Sequence, residues 1–302
     1  LVGSEMCIRD RGGAAAGTAA LTAVGAAPAH ARPPIDADRI GVLVDATHCI
    51  GCRRCEFACA EEAGNPHEEL SAYDDTSVLA EMRRPDAESF TVINRYSAPT
   101  YSDQPMDLKV NCLHCDHPAC VSACIVGALE KNPLGPVTYD AWKCIGCRYC
   151  MVACPFQIPA YEYADAVTPR VMKCNLCVER TLKEGKQPAC VEICPKEALV
   201  FGKRSDLIAL AHRKIREHPG RYHDEVYGEH TVGGTSWLYI ADRPLTDMDL
   251  PELPDESPAE ITEGIQHGIF RGFSGPIMLF GLLSVLMKSS GDKRKETEDE
   301  NA

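Results

Sequence analysis

Aromatic residues are scarce in this sequence, and an excess of positive charge is absent. Phenylalanine, tryptophan and tyrosine make up only 6 % of 302 residues, although the apolar fraction of 45 % is usual for a globular protein. The formal net charge is −13, which argues against nucleic acid as a partner. Because large side chains are few, we expect much of the interior to be filled by something other than side chains.

A glycine-rich nucleotide-binding loop is also missing. The nearest candidate, Val232-Gly233-Gly234-Thr235, lacks the lysine that a P-loop places against the phosphates. The sequence therefore gives no sign of nucleotide-dependent chemistry.

Cysteine, in contrast, is abundant, with 17 residues. One run reads Cys144-Ile-Gly-Cys147-Arg-Tyr-Cys150-Met-Val-Ala-Cys154, followed by Pro155. This C-x2-C-x2-C-x3-C-P spacing binds cubane iron–sulfur clusters in bacterial ferredoxins, where three thiolates hold one cluster and the fourth holds its neighbour. The run therefore predicts a site for an iron–sulfur cluster.

Three further groups repeat the pattern. The first group has the same spacing, the second has four residues between its middle cysteines, and the fourth has twelve. Their members are Cys49, Cys52, Cys55 and Cys59; Cys112, Cys115, Cys120 and Cys124; and Cys174, Cys177, Cys190 and Cys194. Sixteen cysteines suffice for four [4Fe-4S] clusters, and only Cys7 is left over.

The repeats extend beyond the cysteines. The stretch Val44-Asp-Ala-Thr-His-Cys-Ile-Gly-Cys-Arg53 matches Tyr139-Asp-Ala-Trp-Lys-Cys-Ile-Gly-Cys-Arg148. Two Pro-Ala-Cys-Val stretches, beginning at Pro118 and Pro188, are each followed by Ala-Leu at the same distance. Internal repeats of this kind indicate duplicated units. We therefore predict an α+β fold of duplicated dicluster ferredoxin-like modules with insertions.

Structural zinc and disulfide bonds are the two alternatives to iron–sulfur clusters. Paired C-x2-C motifs hold structural zinc in many proteins, and cysteine-rich exported domains often form disulfides. Neither needs three closely spaced cysteines with a fourth before proline, so we favour iron–sulfur clusters. A zinc-stapled scaffold would be a colourless protein without sulfide.

The predicted divisions of the chain follow the motifs. They are an export signal at 1–31, motif 1 at 40–70, an insertion at 71–108, motif 2 at 109–134, motif 3 at 135–165, motif 4 at 170–203, a C-terminal extension and linker at 204–262, and a transmembrane anchor at 268–287. Short strands are expected at 40–44, 137–139 and 198–201. The insertion has one strand-like run, 90–96, which we interpret as a surface hairpin or a docking surface without chemistry of its own.

The N-terminal region resembles an export signal. Residues 12–27 are small and weakly apolar, and Ala29-His30-Ala31 matches a signal-peptidase site. Weak hydrophobicity favours the twin-arginine route, which carries folded proteins loaded with cofactors, although the arginine pair itself is absent. We interpret residues 1–11 as a damaged start. The alternative is a disordered alanine- and glycine-rich tail.

The C-terminal third contains a helix, a linker and an apolar segment. An amphipathic helix is predicted at 205–218, with its apolar face formed by Leu207, Ile208, Leu210, Ala211 and Ile215. Residues 244–262, rich in proline and acidic residues, are expected to form an extended linker. The segment 268–287 ends before several basic residues, so a spanning helix would place the C-terminus in the cytoplasm. The alternative is a helix buried against a partner subunit.

Several residues near the cysteines are candidates for a supporting role. Gly51 and Gly146 lie inside cluster loops, where the absence of a side chain lets backbone N–H groups approach sulfur. Lys143, Arg148 and Lys173 would either raise cluster potentials or be solvated surface charges. His267 is a candidate quinone-site residue, although an interfacial anchor is the interpretation we favour.

The four motifs, the signal, the stretch Gly233-Gly-Thr-Ser-Trp237 and the apolar tail after Gln266-His267 together resemble the HybA-type electron-transfer subunits of membrane-bound nickel–iron hydrogenases. The resemblance covers most of residues 32–290. The cysteine motifs alone also resemble the iron–sulfur subunits of formate dehydrogenases, dimethyl sulfoxide reductases, polysulfide reductases and nitrite-reducing complexes. Cys59 and Cys124 depart from the ferredoxin pattern because alanine and isoleucine follow them instead of proline.

The resemblance implies which motifs share clusters. Motifs 1 and 4 would share two, and motifs 2 and 3 the other two. The implied sets are Cys49, Cys52, Cys55 and Cys194; Cys174, Cys177, Cys190 and Cys59; Cys112, Cys115, Cys120 and Cys154; and Cys144, Cys147, Cys150 and Cys124.

The resemblance also implies a function and partners. The chain would be a non-catalytic subunit at the periplasmic face of the cytoplasmic membrane. It would pass electrons between a catalytic subunit, either a nickel–iron hydrogenase or a molybdenum enzyme, and an integral membrane quinone-reactive subunit of the NrfD/HybB kind.

Overall fold

The computed structural model describes residues 36, 38–97, 104–264, 275–276 and 278–287. Its strands are β1 (Ile40–Asp45), β2 (Thr91–Tyr96), β3 (Met106–Asn111), β4 (Leu129–Lys131), β5 (Val137–Tyr139), β6 (Ala160–Tyr161), β7 (Val171–Met172), β8 (Leu199–Lys203) and β9 (Trp237–Ile240). Its α-helices are α1 (Arg54–Ala63), α2 (Ala119–Ser122), α3 (Tyr149–Ala153), α4 (Ala189–Glu192) and α5 (Arg204–Glu217). The mixture of short helices and strands agrees with the predicted α+β class.

A three-stranded sheet in the order β8-β1-β9 supports the largest part of the core. Strand β1 is antiparallel to β8 and parallel to β9. Because side chains alternate along a strand, Val42 and Val44 face one cluster of buried residues while Leu43 faces another. Strand β9 alternates in the same way, with Trp237 on the first side and Leu238 on the second.

Helix α5 covers the second side of this sheet. Leu207 and Ala211 are buried against Leu43 and Leu238, and the other three residues of the predicted apolar face pack beside them. Burial of this stripe, rather than intrinsic propensity, supplies most of the stability of such a helix. The predicted amphipathic helix is therefore confirmed, with its bounds shifted by one residue.

The four motifs occupy two similar modules, one inserted into the other. In the outer module, β1 precedes motif 1 and β8 follows motif 4, and these two strands pair antiparallel. In the inner module, β5 precedes motif 3 and β4 follows motif 2, and these two strands also pair antiparallel. Helix α1 packs against α4, and α2 packs against α3. The arrangement agrees with the predicted duplication, and it shows that the second module interrupts the first.

The prediction for the insertion was wrong. Strand β2 pairs with β3 in a hairpin whose residues are almost all buried, rather than lying on the surface. Glu56 of α1 holds the hairpin, since its carboxylate accepts a hydrogen bond from the Ile93 N–H at 2.6 Å and pairs with Arg83. The sequence pattern missed this because the residues that cover the hairpin lie far away in the chain.

The prediction of an extended linker at 244–262 was also wrong. Leu245 and Met248 lie in a short 3-10 helix and are buried in the main core. Further along, the Ser257 hydroxyl donates to the His117 carbonyl at 2.7 Å, and residues 258–264 are helical. The segment is therefore packed against the body, and two of its prolines begin short elements: Pro244 precedes the 3-10 helix and Pro258 starts the helical stretch 258–264.

The predicted signal at 1–31 and residues 268–274 of the predicted anchor lie outside the described residues. Residues 275–276 and 278–287 are helical, with exposed side chains. Among the helices that the structure describes, none combines the length and apolar character needed to cross a bilayer.

Asp45 generates a test of the fold. Its carboxylate is buried at the end of β1 and accepts hydrogen bonds from Lys214 Nζ and the Tyr222 hydroxyl at 2.8 Å and from the Thr47 hydroxyl at 2.6 Å. Burial would raise the pKa of Asp45, but hydrogen bonds from Lys214, Thr47 and Tyr222 hold it below its ordinary value. We expect Asp45→Asn to lower the free energy of unfolding by about 2 kcal/mol, measured by thermal unfolding followed by circular dichroism.

The control is Asp224→Asn, at an exposed position, which should stay within about 0.5 kcal/mol of the wild type. Equal unfolding midpoints for the two variants would refute a structural role for the Asp45 carboxylate.

Candidate metal centres

Eight cysteines line two neighbouring cavities in the outer module. Cys49, Cys52 and Cys55 of motif 1 and Cys194 of motif 4 line the first cavity, here called site 1. Three cysteines of motif 4 and one of motif 1 line the second, called site 2; they are Cys174, Cys177, Cys190 and Cys59. Each cavity thus takes three cysteines from one motif and one from another.

The inner module brings its cysteines together in the same three-plus-one way. Burial raises the pKa of Cys115 well above its ordinary value, and nearby Cys120, Cys112 and Cys154 raise it further. We call this group site 3. In site 4, burial raises the pKa of Cys150 to about 11, with contributions from Cys144, Cys124 and Cys147. The four sets are those that the family resemblance implies.

The four sites form a row. Cys190 of site 2 lies close enough to Cys55 of site 1 to raise the pKa of Cys55. Cys112 of site 3 raises the pKa of Cys174 of site 2 in the same way. Cys120 of site 3 responds in the same way to Cys150 of site 4. Sites 1 and 2 also share a helix: Cys55 and Cys59 stand one turn apart on α1, where residues four apart share a face. The order is therefore site 1, site 2, site 3, site 4.

The four cysteine loops share one backbone conformation. The residue before the second cysteine has a positive φ in every motif: 68° at Gly51, 52° at His114, 67° at Gly146 and 57° at Leu176. This left-handed turn aims N–H groups at sulfur, since Gly146 N–H donates to Cys144 Sγ and Leu176 N–H to Cys174 Sγ, both at 3.4 Å. The N–H groups of these turns thus donate to cysteine sulfur, the approach of the glycine loops to cluster sulfurs stays a prediction, and two motifs adopt the same turn without glycine.

The thiols require a cation to become ligands. Burial raises the pKa of Cys49 and of Cys174 to about 12, so each would hold its proton at neutral pH without a metal. Metal ligation deprotonates thiols and releases the proton. Neither a disulfide nor a group of His, Cys, Asp or Glu suited to a single metal ion occurs within the described ranges.

Two buried N–H groups beside the cysteine sites have no acceptor among the described residues. Trp237, which lines site 2, is fully buried, and its Nε1 has no hydrogen-bond partner among the described residues. His114, beside Cys115 of site 3, accepts from Val137 N–H through Nδ1 at 2.8 Å, so its unpartnered Nε2 carries the proton. Cluster sulfurs accept such bonds, and unpaired buried donors are costly, so the sites fit iron–sulfur clusters.

Sequence reasoning missed Lys109, whose ammonium lies between sites 1 and 2. The residue belongs to the buried hairpin, is 2 % exposed, and lines both cavities. The only local signal was a lysine within an apolar strand that runs directly into motif 2. Of the three basic residues that the sequence places beside the cysteines, Lys173 is buried, while Lys143 and Arg148 are exposed.

Comparisons with known proteins agree with this geometry. A family profile described as a 4Fe-4S dicluster domain matches residues 107–204, which contain motifs 2, 3 and 4. A protein of Nitratidesulfovibrio vulgaris is 51 % identical over 94 % of this chain and 73 % of its own length. The hydrogenase-2 operon protein HybA of Escherichia coli O157:H7 is 34 % identical over 90 % of each chain.

This chain belongs to the HybA-type family of ferredoxin-like iron–sulfur subunits. The family extends to the iron–sulfur subunit of formate dehydrogenase-O of Escherichia coli K12, which is 34 % identical over 87 % of this chain and 88 % of its own length. For a HybA-type chain, [4Fe-4S] clusters are the cofactor that the dicluster profile and the cysteine sets support. The candidate quinone-site residue His267 lies outside the described residues.

Gly51 allows a test of the loop geometry. A Cβ at Gly51 would lie 2.5 Å from Asp107 Oδ2 and 2.8 Å from Arg95 Nη2, so the Arg95–Asp107 ion pair would have to move. We expect Gly51→Ala to cost more than the about 1–2 kcal/mol of an ordinary left-handed position and to reduce the iron bound at site 1. Iron per chain and the thermal unfolding midpoint measure the effect.

Gly64→Ala is the matched control, because Gly64 has the same φ of 68° and no atom within 4 Å of the added Cβ. Iron content should be normal in this variant. Identical behaviour of the two variants would show that crowding around Gly51 is irrelevant.

Proposed function

We propose that this chain is an electron-transfer subunit with four [4Fe-4S] clusters. The observation that carries the proposal is the row of four cysteine sets, each with three thiols from one motif and one from another. A cubane cluster accepts and releases single electrons. The chain itself performs no bond chemistry; its residues hold the clusters in order, exclude water and surround them with charge.

The catalytic partner is proposed to be a nickel–iron hydrogenase. Support comes from the HybA relative, whose name places it in a hydrogenase-2 operon. A molybdenum oxidoreductase is a second candidate, because the formate dehydrogenase-O subunit has the same identity to this chain. On either proposal electrons pass between the catalytic subunit and a membrane quinone-reactive subunit of the NrfD/HybB kind.

We further propose that the chain lies at the periplasmic face of the cytoplasmic membrane. The support is in the sequence, namely the export-type N-terminal region and the apolar segment 268–287, with basic residues from Lys288 onwards. The described part of that segment presents large apolar side chains to solvent, among them Phe280 and Leu282. Exposed apolar surface of this kind favours contact with a membrane or a partner.

Site 4 marks the end of the row that faces outward. Cys147 is exposed, unlike the other fifteen motif cysteines. Trp142, Ile145 and Val152 beside it are 98 %, 62 % and 82 % exposed. An apolar, aromatic surface next to a redox site favours contact with another subunit, so we expect electrons to enter or leave at this end.

The first test is the content of iron, acid-labile sulfide and zinc in protein purified without oxygen. Four cubane clusters require about sixteen irons and about sixteen sulfides per chain. We expect values near these and no stoichiometric zinc.

Roughly half of that iron would mean that one module does not load. About four zinc ions per chain without sulfide would overturn the electron-transfer proposal and indicate a non-redox scaffold that structural zinc stabilises. Nickel or molybdenum in the co-purified catalytic subunit would separate the two candidate partners.

The second test concerns the surface at site 4. Replacement of Trp142 and Ile145 by serine should reduce co-purification of a partner subunit severalfold, since aromatic and apolar anchors dominate interfaces. Cluster content should stay unchanged because both side chains point to solvent. The matched control is Leu134→Ser at a partly exposed apolar position elsewhere; undiminished co-purification of the double variant would refute contact at this end.

A further inference from the structure

Lys109 occupies the junction between two cysteine sites. Among the described residues that line the cavities of sites 1 and 2, only Lys109 lines both. It enters from β3, and its ammonium lies 4.5 Å from the centroid of the Trp237 ring. The side chain is thus held at one point between the two sites.

The groups that hold Lys109 are neutral. Its Nζ donates to Thr91 Oγ1 at 2.5 Å and to Asn111 Oδ1 at 2.8 Å. No carboxylate in the part of the chain that the structure describes forms an ion pair with it; Asp107, two residues earlier, pairs with Arg95. A buried charge without a counter-charge is costly, so the balancing negative charge has to come from the cysteine sites.

Two other buried lysines differ from Lys109 because neither lines the cavity of site 1 or site 2. Lys173 donates to the Val137 and Cys174 carbonyls. Lys131 near site 3 has a carboxylate partner, Asp116, at 3.5 Å. Asp116 is also approached by Arg39 and Arg204, so this one carboxylate is shared by three cations. Lys109 has no carboxylate partner within the described residues and lines both cavities, so the field of its charge acts on sites 1 and 2.

We propose that Lys109 is a positioning residue that raises the reduction potentials of the clusters at sites 1 and 2 together. The proposal rests on the proposed function, because it assumes that both sites hold clusters. A cluster with four thiolate ligands is an anion, and one added electron makes it more negative. A fixed positive charge stabilises the reduced form more than the oxidised form, and its position between two sites spreads the effect over both.

The test is a potentiometric titration of the cluster-loaded full chain, followed by electron paramagnetic resonance. Lys109→Met removes the charge but keeps a side chain of similar length, and Lys109→Gln keeps a hydrogen-bonding group. We expect two of the four reduction potentials to fall in either variant and the other two to stay unchanged. Lys109→Arg, which keeps the charge, should restore both.

Two controls separate charge from structure. Thr91→Val removes a hydrogen-bond partner of Lys109 but leaves the ammonium in place, and Lys143→Met removes an exposed lysine near site 4. Neither should lower the two potentials that respond to Lys109. A fall in Thr91→Val as large as in Lys109→Met would assign the effect to packing and overturn the proposal.

The outcomes distinguish this proposal from the proposed function. Full iron and sulfide with four unchanged potentials in Lys109→Met would overturn the role of Lys109 and leave the electron-transfer proposal intact. Wild-type protein with zinc and no sulfide would overturn both. If neither neutral variant loads clusters, loading of Lys109→Arg alone supports the need for charge, whereas failure of Lys109→Arg as well would show that only the shape of lysine matters.

Discussion

This structure depends on one constraint, which is that buried cysteine thiols have to lose their protons in order to bind a metal cluster. Burial raises the pKa of Cys49 and Cys174 to about 12 and that of Cys55 well above its ordinary value. Thiolates in such places exist only if a cation compensates them. Folding and cofactor binding are therefore coupled, since a chain without metal would enclose protonated thiols and would leave the buried N–H groups of Trp237 and His114 without an acceptor among the described residues.

Each three-plus-one set joins cysteines from two motifs that are distant in the chain, so a bound cluster would connect those motifs in the folded protein. Cys194 joins site 1 although it is far along the chain from motif 1, and Cys59 joins site 2 in return. Each cluster would therefore link two motifs in addition to the packing of α1 on α4. The inner module is built in the same way, so metal binding would contribute stability to both modules at once.

The segments between the motifs complete the enclosure. The β2–β3 hairpin supplies Ile93 to site 1, Phe90 to site 2 and Lys109 to both. The segment after β9 closes another part of the core with Leu245 and Met248. Aromatic residues are few, but one of them, Trp237, is fully buried beside site 2 under the Lys109 ammonium.

The sequence by itself determined the chemistry and the local elements. The cysteine spacings specify the ligand type, because three thiols at two-residue intervals suit a cubane cluster, and the positive φ at Gly51 and Gly146 follows from a turn that glycine adopts without strain. Helix α5 and strand β1 could be predicted because the pattern of apolar residues that identifies each element lies entirely within its own segment.

Only the tertiary structure decided what depends on distant residues. The burial of the hairpin depends on Glu56 and on the two sites, the packing of residues 244–262 depends on the core beneath them, and the role of Lys109 depends on Trp237, which is remote in the chain. A local period reports which face of an element is apolar, but not which element will cover it. For that reason the sequence predicted the ligands, whereas the order of the sites and the charge between them emerged only from the fold.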